Sequence, residues 1–155
     1  MGKRSLLGLL ALVFVAAPAF SQTNSAAKAA PAAGPSLYTR LGGYDAIAAV
    51  SDDFIARLAA DKQLARFLVG MSDNSKGHLR QLLVDQLCQA TGGPCLYIGR
   101  DMKTAHKGLG ITGSDWDLAV KALVGSLDKF KVPPKEKDEL LTIASSLKPD
   151  IVEKP

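Results

Sequence analysis

Residues 90–112, ATGGPCLYIGRDMKTAHKGLGIT, decide how the whole chain is read. Gly92-Gly93-Pro94 must end whatever helix precedes it, because two residues tolerate left-handed backbone and the third cannot continue a helix. A loop with Cys95, Tyr97 and Gly99 follows. Asp101 to Lys107 then make a brief helical segment that carries Met102 and His106, and Gly108 and Gly110 close it. Met102 stands four residues before His106 and so shares its helix face. By spacing alone, His106 reads most simply as a surface or half-buried histidine on a connecting turn.

Outward from this stretch, apolar residues recur at helical spacing on both sides. Upstream, a short first helix runs through Leu37, Tyr38 and Leu41 and stops at Gly42-Gly43. A second helix, about Asp45 to Ala60, sets Ile47, Val50, Phe54 and Leu58 three and four residues apart. Asp61 to Leu68 is a turn or short helix with Leu64, Phe67 and Leu68, and residues 70–77, GMSDNSKG, read as a polar loop. A third helix carries Leu79, Leu82, Leu83, Leu87 and Ala90 on one face. Downstream, Thr112 or Ser114 caps a fourth helix, and Asp115 and Asp117 suit its positive end. Trp116, Val120, Leu123, Leu127 and Phe130 line that helix's apolar side. Pro133-Pro134 break the chain, and Pro134 can open a last helix with Leu140, Ile143 and Leu147 turned inward. The expectation is one all-α domain over residues 36–152.

Composition agrees: hydrophobic residues make up 47% of the sequence and aromatics only 6%, which suits helices better than a β-sandwich. Residues 1–21 read as a secretory signal, with Lys3 and Arg4 at its start and an apolar Leu6 to Ala17 too short for a membrane span. Ala19-Phe20-Ser21 offers the small-x-small pattern for cleavage after Ser21. An uncleaved anchor is the alternative; the small-residue site and the lack of stop-transfer charges argue against it. Residues 22–35 have no apolar periodicity and read as a flexible linker. The chain is therefore expected to be exported to the periplasm, with no stable membrane span in the mature form. The formal charge is +4, and Lys3 and Arg4 account for half of it. What remains is too weak and too dispersed for a nucleic-acid partner.

His78 and His106 are the only histidines in the sequence, and no serine–histidine–acid or paired-glutamate arrangement reads as catalytic. An imidazole framed by Met102, Leu109 and Ile111 is what a haem iron takes: a neutral nitrogen ligand in a site that excludes water. The surrounding pattern carries that reading further. Residues 37–68, LYTRLGGYDAIAAVSDDFIARLAADKQLARFL, followed by the 90–112 stretch, resemble the group I truncated haemoglobins. The resemblance extends over about Leu37 to Val152. Gly42-Gly43 match the family's glycine pair between the first two helices. Gly92-Gly93 match its second pair after the distal helix, and Pro94 and Tyr97 fit behind them. Gly99, Met102 and His106 match the short proximal segment whose histidine ligates iron.

The resemblance implies a two-over-two helical sandwich around haem b, with His106 as the metal ligand. It implies a cofactor pocket formed by Phe54, Ile55, Phe67, Leu68, Leu79, Leu83, Leu87, Met102 and Ile111. Helix packing alone would account for the leucines equally well. Arg100 stands where its guanidinium can bind a haem propionate, or it is merely solvated. The family usually has two phenylalanines where this chain has Phe67-Leu68. It usually has a tyrosine where this chain has Ile55, after Phe54, and often a glutamine about where Leu83 falls. Neither replacement can donate a hydrogen bond, so the distal pocket is expected to be apolar and to retain oxygen poorly while admitting nitric oxide or carbon monoxide. His78, at the start of the distal helix, reads as an outward histidine, a propionate contact or a sixth iron ligand.

Cys88 and Cys95 lie seven apart, wrong for a redox CxxC pair and too few for zinc. In an exported protein a disulfide is the natural reading, with two free thiols the alternative. Taken together, the expected function is reversible binding of diatomic gases, as transport or sensing more than as a dedicated enzyme. Nitric-oxide oxidation requires retained oxygen and an electron-donating reductase, and peroxidase-like chemistry profits from polar distal groups; a haem-free helical binding module is the third alternative.

Overall fold

The computed structural model describes residues 34–154; the leader over residues 1–21 and most of the linker lie outside them. Among the described residues the helices are α1 (Leu37–Arg40), α2 (Gly43–Ala60), α3 (Asp73–Ala90), α4 (Met102–His106), α5 (Gly113–Lys129), α6 (Pro134–Ser146) and α7 (Lys148–Ile151), with a 3-10 turn at Leu64–Phe67. The all-α expectation holds; the described residues contain no strand, only an isolated bridge between Thr112 and Lys154. No helix among them is long and apolar enough to cross a membrane.

α2 is the central element, packed against α3 on one side and α5 on the other. One core cluster joins Val50 of α2 to Leu37, Leu123, Leu127 and Leu140. The other joins Ile47 and Ala48 to Val84 and Cys88 of α3, and Leu87 touches both. Ser51 and Ser126 are fully buried. Their hydroxyls donate to the carbonyls of Ile47 and Ala122, so these small side chains leave no buried polar atom unmatched. Leu41, Ile47, Val50, Leu87, Leu127 and Leu140 line much of an apolar cavity of about 140 Å³ where the clusters meet.

The ends of the elements follow from their residues. Ser36 caps α1 by accepting from the Thr39 amide, and Gly42 takes the left-handed φ of 99° that turns the chain into α2. Thr112 and Asp115 form a capping box at the start of α5. Asp115 is almost wholly buried. Burial alone would raise its carboxyl pKa, but donors from Gln63 and Thr112 and the Arg66 guanidinium outweigh it and lower the value to about 2. Pro134 opens α6, and Arg40 ties α1 to that helix through Glu136 and Glu139.

Three readings need correction. Residues 70–77 are not a loop throughout: α3 begins at Asp73, where Ser72 caps it by accepting from the Ser75 amide. Residues 73–78 are all exposed, so this first stretch of helix has no apolar face to betray it. The face of α3 that enters the core is Val84 and Cys88, both fully buried, whereas Leu79, Leu82, Leu83 and Leu87 are half-buried. At about 100° per residue, Leu79 and Leu83 lie well around the helix from Cys88, so α3 has two apolar faces. Phe130, read as inward, is 42% exposed at the end of α5. The α7 turn and the chain after it were not anticipated; there the Glu153 and Lys154 amides donate to the Ile111 carbonyl.

The second glycine pair serves close approach. Gly92 is left-handed at φ 83°, and a Cβ on Gly93 would lie 2.5 Å from the Tyr38 ring and 2.7 Å from the Cys88 sulfur. Behind them a disulfide joins Cys88 to Cys95. Gly93→Ala should therefore lower stability by about 1–3 kcal/mol, the usual cost of overpacking. Gly77→Ala, in helix and open space, should raise it by about 0.5–1 kcal/mol; urea unfolding of both variants checks the contrast.

Asp115 adds a pH dependence. Its folded pKa lies below the ordinary 3.8, so its stabilisation is complete above that value and is lost as pH falls through about 2. Thermal melts should show that the wild type loses stability more steeply than Asp115→Asn over this acid range.

Candidate functional site

α4 is only five residues long, and the chain before it is anchored at several points. The disulfide holds Cys95 to the end of α3. The Tyr97 amide donates to the Gln89 side chain at 2.6 Å, and the Tyr97 hydroxyl donates to the Arg100 carbonyl at 2.6 Å. Gly99 passes so close beneath that ring that a Cβ would sit 2.4 Å from it. Burial raises the Tyr97 hydroxyl's pKa, so it stays a donor. Asp101 then caps α4 by accepting from the Thr104 amide at 2.8 Å, and that bond keeps its carboxyl below the usual range.

This frame presents His106, which is half-buried. Its Nδ1 lies 2.8 Å from the Met102 carbonyl oxygen. A carbonyl can only accept, so Nδ1 carries a proton, and in the neutral ring the lone pair is left on Nε2. The four-residue spacing of Met102 and His106 thus does more than place two side chains on one face. It lets the backbone of one residue fix the tautomer and ring of the other.

The remaining candidate residues divide into two groups. Phe54 and Leu87 pack against the core, and Ile111 is buried beneath the C-terminal chain. Ile55, Phe67, Leu68, Leu79, Leu83 and Met102 are half-buried, and the Arg66 guanidinium stacks 4.4 Å from the Phe67 ring centre. Six half-buried apolar side chains and one imidazole nitrogen are the side-chain chemistry that suits a large apolar group ligated through a single histidine. A bare ion is not what they suit: the described residues hold no cluster of three or more histidines, cysteines, aspartates or glutamates able to hold one. Arg100 is exposed and joins the structure through its carbonyl; His78 is exposed on α3. Of the candidates, only Leu87 lines the core cavity.

Glu153 escaped the sequence reading. Its carboxylate accepts from the amides of Gly108 and Gly110 at 2.6 Å each. Those residues lie more than forty positions away, and nothing local to Glu153 marks the contact.

A family model described as bacterial-like globin matches residues 36–153. Over 124 residues the chain is 36% identical to the group 1 truncated haemoglobin GlbN of Mycolicibacterium paratuberculosis, covering 80% of this chain and 87% of that protein. It is 31% identical over 114 residues to the group 1 truncated haemoglobin GlbN of Synechocystis sp., covering 71% and 90%. Among solved structures, the 2/2 haemoglobin of Synechococcus sp., in the cyanomet state with covalently attached haem, aligns with TM-score 0.69 at 29% identity over 76% of this chain and 98% of that one. The truncated haemoglobin of Tetrahymena pyriformis aligns with TM-score 0.71 at 24% identity over the same shares, a likeness of fold.

Proposed function

The chain belongs to the bacterial-like globin family, among the group 1 truncated haemoglobins, and on that premise we propose that it binds diatomic gases at a haem iron held by His106. The two-over-two globin sandwich is its fold and haem its cofactor. The observation that carries the proposal is the His106 Nδ1 bond to the Met102 carbonyl. It puts a proton on Nδ1, leaves Nε2 as the nitrogen not engaged by that carbonyl, and would make the imidazole a stronger ligand, the supporting hydrogen bond that a metal-ligating histidine ordinarily has. Haem, when bound, would be held through His106 and would supply an iron centre able to take a diatomic gas.

The rest of the site governs which gas stays. Half-buried Ile55, Phe67, Leu68, Leu79 and Leu83 would cover the porphyrin and exclude water, and Arg100 would meet a propionate at the exposed edge. Neither Ile55 nor Leu83 can donate a hydrogen bond to a ligand. One missing bond costs about 1 kcal/mol, or roughly fivefold in retention, so oxygen should leave quickly while carbon monoxide and nitric oxide still enter. An apolar cavity such as the one beside Leu87 stays dry and takes small apolar molecules. This favours reversible gas binding over nitric-oxide oxidation or peroxidase chemistry. Export to the periplasm, proposed from the leader, is supported by the Cys88–Cys95 bridge.

Absorption spectra of the purified, haem-reconstituted chain, ferric and ferrous, test the proposal. A strong Soret band that changes in His106→Ala is expected; no such band, or one unaltered by the substitution, overturns it. For the distal pocket, Ile55→Tyr should slow oxygen dissociation severalfold in stopped-flow measurements. A wild-type rate that is already very slow would contradict an apolar pocket.

A further inference from the structure

We propose that Glu153 is a positioning residue for His106: the carboxylate, carried in by the C-terminal chain, fixes the loop that follows the histidine and so sets the approach of its ring to the iron. This rests on the reading of His106 as the iron ligand.

A helix as short as α4 cannot hold itself, because its few internal bonds do not offset the cost of nucleation. Its leading side is anchored by the Asp101 cap, by Tyr97 and by the disulfide. On its trailing side Lys107 leaves the helix in extended backbone, at ψ 128°, and the turn that follows is closed by a 3.2 Å bond from the Leu109 amide to the His106 carbonyl. Gly108 and Gly110 then take left-handed φ angles of 84° and 64°. Their amides meet the two oxygens of one carboxylate, Gly108 on Oε1 and Gly110 on Oε2, each at 2.6 Å.

Two bonds to a planar group fix both the position and the tilt of the loop. The carboxylate is itself held. The Glu153 and Lys154 amides donate to the Ile111 carbonyl at 2.9 and 3.1 Å, and the Gly113 amide donates to the Lys154 carbonyl at 3.1 Å. Just before them, the Val152 amide closes α7 on the Lys148 carbonyl at 2.9 Å, and α7 packs on α4. The two glycine amides also hold the Glu153 carboxyl below its ordinary pKa, so it is ionised whenever the protein is folded near neutrality.

Gly108 is two residues from His106, and planar peptides pass a displacement along the backbone. The Met102 bond restrains the imidazole's rotation relative to α4. A shift of the loop therefore moves Nε2 bodily instead of being absorbed by a turn of the ring.

Resonance Raman spectra of the ferrous, five-coordinate holoprotein test this, together with hydrogen exchange at the Gly108 and Gly110 amides. The wild type should show one iron–histidine stretching band. In Glu153→Ala that band should broaden or shift to lower frequency, and both amides should exchange severalfold faster while helical circular dichroism is retained. Glu153→Gln keeps one acceptor oxygen; it should fall between the two, and it carries the test if the alanine variant does not fold. Bands in both variants that superimpose on the wild type would overturn the proposal. No iron–histidine band in the wild type, or one that persists in His106→Ala, would instead overturn the assignment of His106, and the proposal with it.

Discussion

The hydrogen bond from His106 Nδ1 to the Met102 carbonyl is the constraint around which the rest of the molecule is arranged. It has a demanding requirement. A five-residue helix must stand at a fixed place and angle, although a helix of that length has little stability of its own. The surrounding chain supplies the stability. The disulfide and the Tyr97 anchors fix the segment before α4, the two bonds to Glu153 fix the segment after it, and α7 supports it. The well-packed part of the protein lies elsewhere, in the clusters on the two sides of α2. Rigidity at α4 is thus imported through cross-links and hydrogen bonds.

Much of this was legible in the sequence, for definite reasons. Gly42-Gly43 and Gly92-Gly93-Pro94 are backbone requirements, and backbone requirements are local: one position needs left-handed φ and another has no room for a Cβ. The cap at Thr112 and the proline at the start of α6 were readable on the same ground. The start of α3 was not, because residues 73–78 are wholly exposed and polar helix in solvent has the composition of a loop. The core face of α3 was misread because leucine is the more apolar-looking signal, while the buried positions are Val84 and Cys88. Glu153 was invisible because its partners are backbone amides distant in sequence.

The misread face of α3 is informative in itself. A helix packed against one neighbour buries one stripe; α3 buries Val84 and Cys88 and still carries Leu79, Leu82 and Leu83 half covered on another side. Half-covered apolar surface of this kind marks a binding site more often than a packing fault. With Ile55, Phe67, Leu68 and Met102 in the same condition, it suits a large apolar cofactor. Leucine or isoleucine in place of a polar distal residue would change what such a cofactor retains more than how it is held, so family membership alone shows the cofactor and not the ligand.

The most direct test is proton NMR of the deoxygenated ferrous holoprotein. The chain has two histidines, so an iron-bound imidazole can be assigned by elimination. One exchangeable, strongly hyperfine-shifted Nδ1 proton that survives in His78→Ala is the predicted result; it would place the proton on the nitrogen facing the Met102 carbonyl and the iron on the other. The absence of that resonance, or its loss in His78→Ala, would contradict the account.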